Sequence, residues 1–157
     1  FQYGTRILFI VGLSQNEDIN DQVKQEAIIH QDIHQINIIE SYHSMTYKAR
    51  SWITHLHSIC PEKKISFVVK LDDDITIDLQ SLIELLTDSS IRKNFVGCRL
   101  FMKGMITRNP FISREEFPFD NLGLYCQGLA YILSGDLISK MYYNIAKVQF
   151  LWVRIQL

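Results

Sequence analysis

The apolar residues of this chain recur in two rhythms. Five short runs are almost continuously apolar: "TRILFIVGL" (5–13), "INIIE" (36–40), "ISFVVKL" (65–71), "FVGCRLF" (95–101) and "LYCQGLAYILS" (124–134). Runs of this length, rich in β-branched and aromatic residues, predict buried strands. Between them the apolar spacing widens to three or four. "DQVKQEAIIHQD" (21–32) reads as a helix that follows the polar loop "SQNEDIND". Met45, Ala49, Trp52, Ile53, Leu56 and Ile59 mark one face of a second helix, which Pro61 stops. Leu79, Leu82, Ile83 and Leu86 mark a third, with Asp78 placed to cap it. Leu137, Ile138, Met141, Tyr142 and Ile145 mark a fourth, with Ser134 as its expected cap. Residues 102–124 hold two prolines and no period, which predicts a long loop. Strands alternating with helices imply one α/β domain over residues 1–157, a sandwich with a mainly parallel central sheet flanked by helices. Such sheets bind ligands beyond the carboxyl ends of their strands.

Composition narrows the classes. Of 157 residues, 47% are apolar and 21% charged, enough for a packed core. The net charge of −1 offers no basic field for nucleic acid or an anionic membrane. No apolar run approaches the ~20 residues of a membrane span. The chain opens at Phe1 and runs straight into its first strand, so the expectation is a domain incomplete at its start. Cys60, Cys98 and Cys126 show no zinc-ligand spacing. They read either as buried thiols or as one disulfide with a free thiol in an oxidising compartment.

The strongest chemical signal is "FVVKLDDDITIDL" (67–79), in which Asp72, Asp73 and Asp74 follow an apolar strand at the end where a ligand is expected. Hard divalent cations take carboxylate oxygens, and Mg²⁺ or Mn²⁺ are often held by one or two carboxylates plus substrate phosphates. Residues two apart on an extended segment point the same way, which would aim Asp72 and Asp74 at one metal. An acidic loop or helix cap without metal is the plainer alternative. "DDDIT" also fits a DxDxT phosphatase loop, with Asp72 as nucleophile and Asp74 as acid. That chemistry needs a later lysine, for which Lys103 and Lys140 are available. It also needs a second acidic pair, and "SGDLISK" has only Asp136. Sugar transfer from a nucleotide diphosphate sugar fits as well, with a metal across the two phosphates.

Four segments in order resemble the β-1,3-galactosyltransferase-like hexosyltransferase family: "ESYHSMTYKA" (40–49), "FVVKLDDDITIDLQSLIELL" (67–86), "FVGCRL" (95–100) and "YCQGLAYILSGDL" (125–137). The resemblance runs from about Arg6 to Tyr143. It implies a GT-A-like fold, Mn²⁺ as cofactor, a UDP-sugar donor and a glycan acceptor on a glycoprotein or glycolipid, joined by inversion in β-1,3 linkage. It also implies a lumenal Golgi domain, membrane-anchored through a segment absent from these residues. By position it makes Asp74 the direct metal ligand, puts Asp72 on the metal or the ribose, and sets Lys70 and Asp73 beside the nucleotide. Tyr125, Gly128 and Tyr131 would wall the donor and acceptor pocket, with Gly128 admitting the sugar closely. Tyr42, Thr46 and Lys48 match family positions; Tyr42 and Thr46 read as packing and hydrogen-bonding residues, and Glu26 and Asp32 as structural ones.

The departures from the family pattern bear on catalysis. The family's arginine-rich N-terminal segment lies upstream of the point where this chain starts. Its glycine pair after Gly128 is Leu129 and Ala130 here. Where the family carries a glutamate–aspartate–valine run with the expected base, this chain reads "VQFLWVRIQL". The catalytic residue is therefore unassigned. Asp120 and Glu116 are carboxylates of the long loop with no spacing that ties them to an acceptor. The competing expectation is a non-catalytic truncated relative. If the resemblance holds, Asp72–Asp74 end a central strand in a cleft walled partly by residues 125–131.

Overall fold

A computed structural model describes residues 4–60, 65–87, 89–102, 114–115, 117–121 and 123–148. Among the described residues it holds five strands and four α-helices, alternating except that β5 follows β4. They are β1 (Phe9–Leu13), α1 (Glu17–His30), β2 (Ile33–Ile39), α2 (Met45–Ile59), β3 (Phe67–Leu71), α3 (Leu79–Thr87), β4 (Val96–Phe101), β5 (Tyr125–Ser134) and α4 (Asp136–Ile145). Each of the predicted strands and helices is present, so the α/β class holds.

Capping chemistry explains most of the boundaries. α1 starts four residues before the predicted helix because Asn16 caps it, its side chain accepting the Asp18 amide at 2.9 Å. Gln31 then ends it in the left-handed region, φ 55°. Asp78 caps α3 as expected, accepting the Gln80 and Ser81 amides at 3.0 and 3.2 Å. Ser134 does not cap α4. Gly135 takes that place, and Ser134 is the last residue of β5, fully buried. Its hydroxyl accepts the Phe95 amide at 2.9 Å and donates to Asp136 at 2.7 Å. The predicted long loop falls mostly outside the described residues, and its described parts contain no helix.

The strand pairing departs from a mainly parallel sheet. β1 and β2 are parallel, with Phe9 opposite Ile33. The other sheet has the order β3-β5-β4 and is antiparallel throughout, with Phe67 opposite Ser134 and Val96 opposite Leu133. Among the described residues β5 is therefore the middle strand and β3 an edge, not the central strand expected. The reason is topological. β5 returns from the long loop running against β3 and β4, and no local pattern in a ten-residue apolar run specifies its direction.

The core forms where α2 and α4 pack together over the sheet strands. Trp52 and Ile53 of α2, Leu133 of β5 and Ile138 of α4 are buried, with Ile10, Ala49, Leu56, Val68, Leu137 and Met141 packed around them. These are the apolar stripes read from the sequence. Across the same interface His57 stacks on Tyr142 at 4.0 Å and meets the Ser139 hydroxyl at 3.1 Å. α3 carries the predicted apolar stripe, yet none of its residues is buried, and Leu79 is 59% exposed. Among the described residues no helix is long and apolar enough to cross a membrane.

Candidate active site

The aspartates stand at the carboxyl end of β3. The ladder with β5 ends at Leu71 opposite Ala130, and the Asp72 amide extends it by one bond, donating to the Leu129 carbonyl at 2.9 Å. The chain then turns, the Ile75 amide reaching back to the Asp72 carbonyl at 3.4 Å. Asp72 is half-buried, whereas Asp73 and Asp74 are exposed in the turn. This turn removes the alternation that would have aimed Asp72 and Asp74 the same way, because alternation needs an extended backbone. Among the described residues no three or more His, Cys, Asp or Glu side chains converge as a ready-made metal cage.

Lys70 organises this strand end. Its ammonium pairs with Asp72 and donates to the Gly128 carbonyl at 2.6 Å. It also lies 5.9 Å from the centre of the Tyr131 ring, the residue opposite Lys70 in the ladder. Burial, with Asp72's charge added, pushes the Tyr131 hydroxyl up to about 12, so it stays protonated and can only donate or accept a hydrogen bond at neutral pH. Gly128 thus enters the site through its carbonyl.

Because β3 stops opposite Ala130, residues 125–129 of β5 run on past it as a shelf beside the aspartate turn. β4 supports that shelf. Cys98 and Cys126 form a disulfide with Cα atoms 5.6 Å apart, and Tyr125 stacks on Phe101 at 5.2 Å. Cys60 is free. The open alternative of one disulfide and one thiol is therefore the arrangement found. Of the predicted site residues, the fold brings Lys70, Asp72, Gly128 and Tyr131 into contact. It leaves Asp73 and Asp74 exposed at the rim, and gives Tyr125 to the β4 side.

A second polar junction, at the ends of β1 and β2, was only half visible in the sequence. Glu40 accepts the Gly12 amide at 2.7 Å and the Lys48 ammonium at 2.6 Å, while its own amide donates to the Leu13 carbonyl at 2.8 Å. Burial pushes the Glu40 carboxyl up, but the Lys48 and Gly12 hydrogen bonds outweigh it and hold the pKa below the usual value. A side chain at Gly12 would meet the Ile38 carbonyl at 2.7 Å, so only glycine lets the two strand ends approach this closely. Lys48, matched to the family but given no role from sequence, thus pairs with Glu40, a partner that sequence reasoning missed. The signal was present as an acid eight residues before the lysine. Nearby, buried Asn20 of α1 accepts the Ser14 amide at 2.8 Å and returns a bond to its carbonyl at 2.9 Å, fixing the turn after β1.

Other predicted residues fall elsewhere. Glu26 is exposed on α1. Asp32 immediately precedes β2, and its carbonyl accepts the Phe9 amide at 2.7 Å, a structural role. Asp120 is exposed and pairs with Arg114 at 2.9 Å. The Tyr42 side chain, Lys103, Glu116 and residues 149–157 lie outside the described residues. A groove of about 550 Å³ runs between β2 and α2, lined by residues including His34, Tyr47, Arg50 and His55, and it does not include the aspartates.

Comparison with known proteins places these features. The family model described as Galactosyltransferase matches residues 2–154. Human "Beta-1,3-galactosyltransferase 5" is 31% identical over 146 residues, covering 90% of this chain and 46% of the relative. Rat "UDP-GalNAc:beta-1,3-N-acetylgalactosaminyltransferase 1" is 30% identical over 157 residues, covering 94% and 46%. Mouse "Beta-1,3-galactosyltransferase 1" is 29% identical over 143 residues, covering 86% and 42%. The chain thus spans just under half the length of the curated relatives it matches.

Proposed function

The chain belongs to the galactosyltransferase family, and on that footing we propose that it carries the nucleotide-sugar side of a hexosyltransferase, which moves galactose or an N-acetylhexosamine from a UDP-sugar to a hydroxyl of a glycan in β-1,3 linkage. The observation that supports this reading most directly is the Lys70–Asp72–Gly128 junction at the end of β3, with Asp73 and Asp74 exposed beside it. The names of the relatives support the linkage, and one of them carries UDP-GalNAc as donor.

By chemistry the donors suit Mn²⁺, although the turn does not aim Asp72 and Asp74 alike and Lys70 holds an Asp72 oxygen. Only carboxylate oxygens are offered, and two carboxylates short of a full shell leave positions for the oxygens of a diphosphate. Asp74 would hold the cation, with Asp72 as second ligand. Bound there, it would supply positive charge against the departing diphosphate. The chain's own residues do the remaining work. Lys70 fixes Asp72 and the Gly128 carbonyl relative to each other. The neutral Tyr131 hydroxyl is a hydrogen-bond donor beside them, and the disulfide-braced shelf of 125–129 offers a wall for the sugar. In this family's chemistry a carboxylate takes the acceptor's proton as the new bond forms. Asp120, paired with Arg114, is not assigned that role. The Cys98–Cys126 disulfide suits an oxidising lumen such as the Golgi. The phosphatase alternative is not favoured, because the acidic pair it needs is reduced to Asp136, which is paired with Lys140.

Titration calorimetry with UDP tests the reading. UDP should bind in Mn²⁺ and lose most of its affinity in EDTA, and Asp74→Ala should lose the Mn²⁺-dependent part. Equal affinity with and without the metal would overturn the role given to the aspartates. Release of UDP from a panel of UDP-sugars then identifies the donor.

A further inference from the structure

We propose that Lys70 is a built-in stand-in for the metal, its ammonium holding the Asp72 carboxylate until a divalent cation takes it over. The inference rests on the metal-dependent reading above and adds an exchange to it. Lys70 and Asp72 are two residues apart at the end of β3, and both side chains are only about a quarter exposed, at 22% and 28%. The ammonium is shared between the Asp72 carboxylate and the Gly128 carbonyl, over the Tyr131 ring. With no metal, this pairing offsets the repulsion among three successive carboxylates and ties the end of β3 to β5.

Two forces set Lys70 against a metal. The Asp72 oxygen that accepts the ammonium is a donor atom the cation needs. A lysine charge and a divalent cation close together also repel, and partial burial screens that repulsion less than water would. The lysine must therefore move off Asp72 as the metal arrives. The Asp72 carboxylate is kept paired until a cation arrives, at the expense of metal affinity.

The test uses Mn²⁺ alone, without nucleotide, measured by calorimetry and by the paramagnetic resonance of free Mn²⁺. Lys70→Met should bind Mn²⁺ about fivefold tighter than the unaltered chain, the scale of one lost competing ion pair. In EDTA the same variant should melt at a lower temperature, and saturating Mn²⁺ should narrow that deficit. Lys70→Arg keeps the charge and should keep the weaker Mn²⁺ affinity. If Lys70→Met fails to fold, as circular dichroism would reveal, Lys70→Gln carries the same expectation while retaining a donor for Gly128. Unchanged or weaker Mn²⁺ binding by the neutral variant overturns the proposal while leaving the metal reading intact. No Mn²⁺ binding by either chain overturns the metal reading and the exchange with it.

Discussion

Replacing Gly135 by alanine puts a methyl group where no atom fits. Gly135 joins β5 to α4 with φ −59° and ψ −29°, angles any residue adopts. On backbone freedom alone the substitution would stabilise the fold by about 0.4–1 kcal/mol, because alanine restricts the unfolded chain. The new Cβ, however, would lie 1.9 Å from the Ile65 carbonyl oxygen and 2.7 Å from its carbon. Both are backbone atoms and cannot swing aside. Relief requires moving the end of β5 away from the start of β3 by about 1 Å. That motion stretches the bond from the Gly135 amide to the Ser66 carbonyl at 2.8 Å and crowds the other neighbour, where the Ser134 amide already donates to the Phe95 carbonyl at 2.9 Å. Overpacking against rigid atoms costs typically 1–3 kcal/mol, and this contact belongs at the upper end, about 3 kcal/mol. For a domain of this size that lowers Tm by roughly 6–12 °C. Urea unfolding followed by circular dichroism measures it. Gly123→Ala is the control. Gly123 has φ +70° and open space around its Cβ, so only the left-handed backbone is penalised, by about 1–2 kcal/mol. A Gly135→Ala chain as stable as the original, or more so, would refute the close approach of β5 to Ile65. It would also undercut the β3–β5 register that sets Lys70 opposite Tyr131.

Reducing the Cys98–Cys126 bridge, or replacing both by serine, should lower stability by about 3–4 kcal/mol on the loop-entropy account, given the separation of 28 residues, with urea midpoints in and out of reductant as the check. His34 stacks on His55 at 4.2 Å and meets the Ser51 hydroxyl at 2.8 Å, and burial, then the His55 charge, lowers its pKa. The folded chain therefore binds fewer protons there than the unfolded one, so stability should fall as pH drops through the ordinary histidine value of 6.5; His34→Gln should flatten that slope in unfolding curves between pH 5 and 8. Lys48→Met should raise the Glu40 pKa, read by NMR titration. Glu40's contribution is present above its ordinary value of 4.5 and lost as pH falls through the depressed folded value, so the acid arm of the stability curve should be shallower in the variant.

Much of this protein was legible from local rules. The apolar runs predicted all five strands, and the three- and four-residue spacings predicted the helix faces, because burial selects for periodicity that any window of the chain displays. Trp52, Ile53 and Ile138 sit where those stripes put them. The aspartates were placed correctly at the carboxyl end of β3, since a charged triplet must leave the core where its strand does. Helix starts were less legible. Asn16 rather than a later residue caps α1, and Gly135 rather than Ser134 precedes α4, because several polar residues compete for each cap and only backbone geometry chooses between them.

Tertiary structure decided what the sequence left open. The direction of β5, the edge position of β3 and the pairing of Cys98 with Cys126 depend on contacts between residues far apart in the chain. So do the Lys70–Gly128 bond across 58 residues and the Glu40–Gly12 bond across 28. The turn at Asp73 and Asp74 replaced the extended segment that alternation assumed, changing which carboxylates are held and which are free at the rim. Sequence by itself determined which residues carry the charge and which segments hide from water, because those depend on each side chain's own chemistry and its near neighbours. It could not determine that Lys70 reaches the Gly128 carbonyl or that Glu40 takes the Gly12 amide, because those bonds are fixed only when two strands dock in a single register.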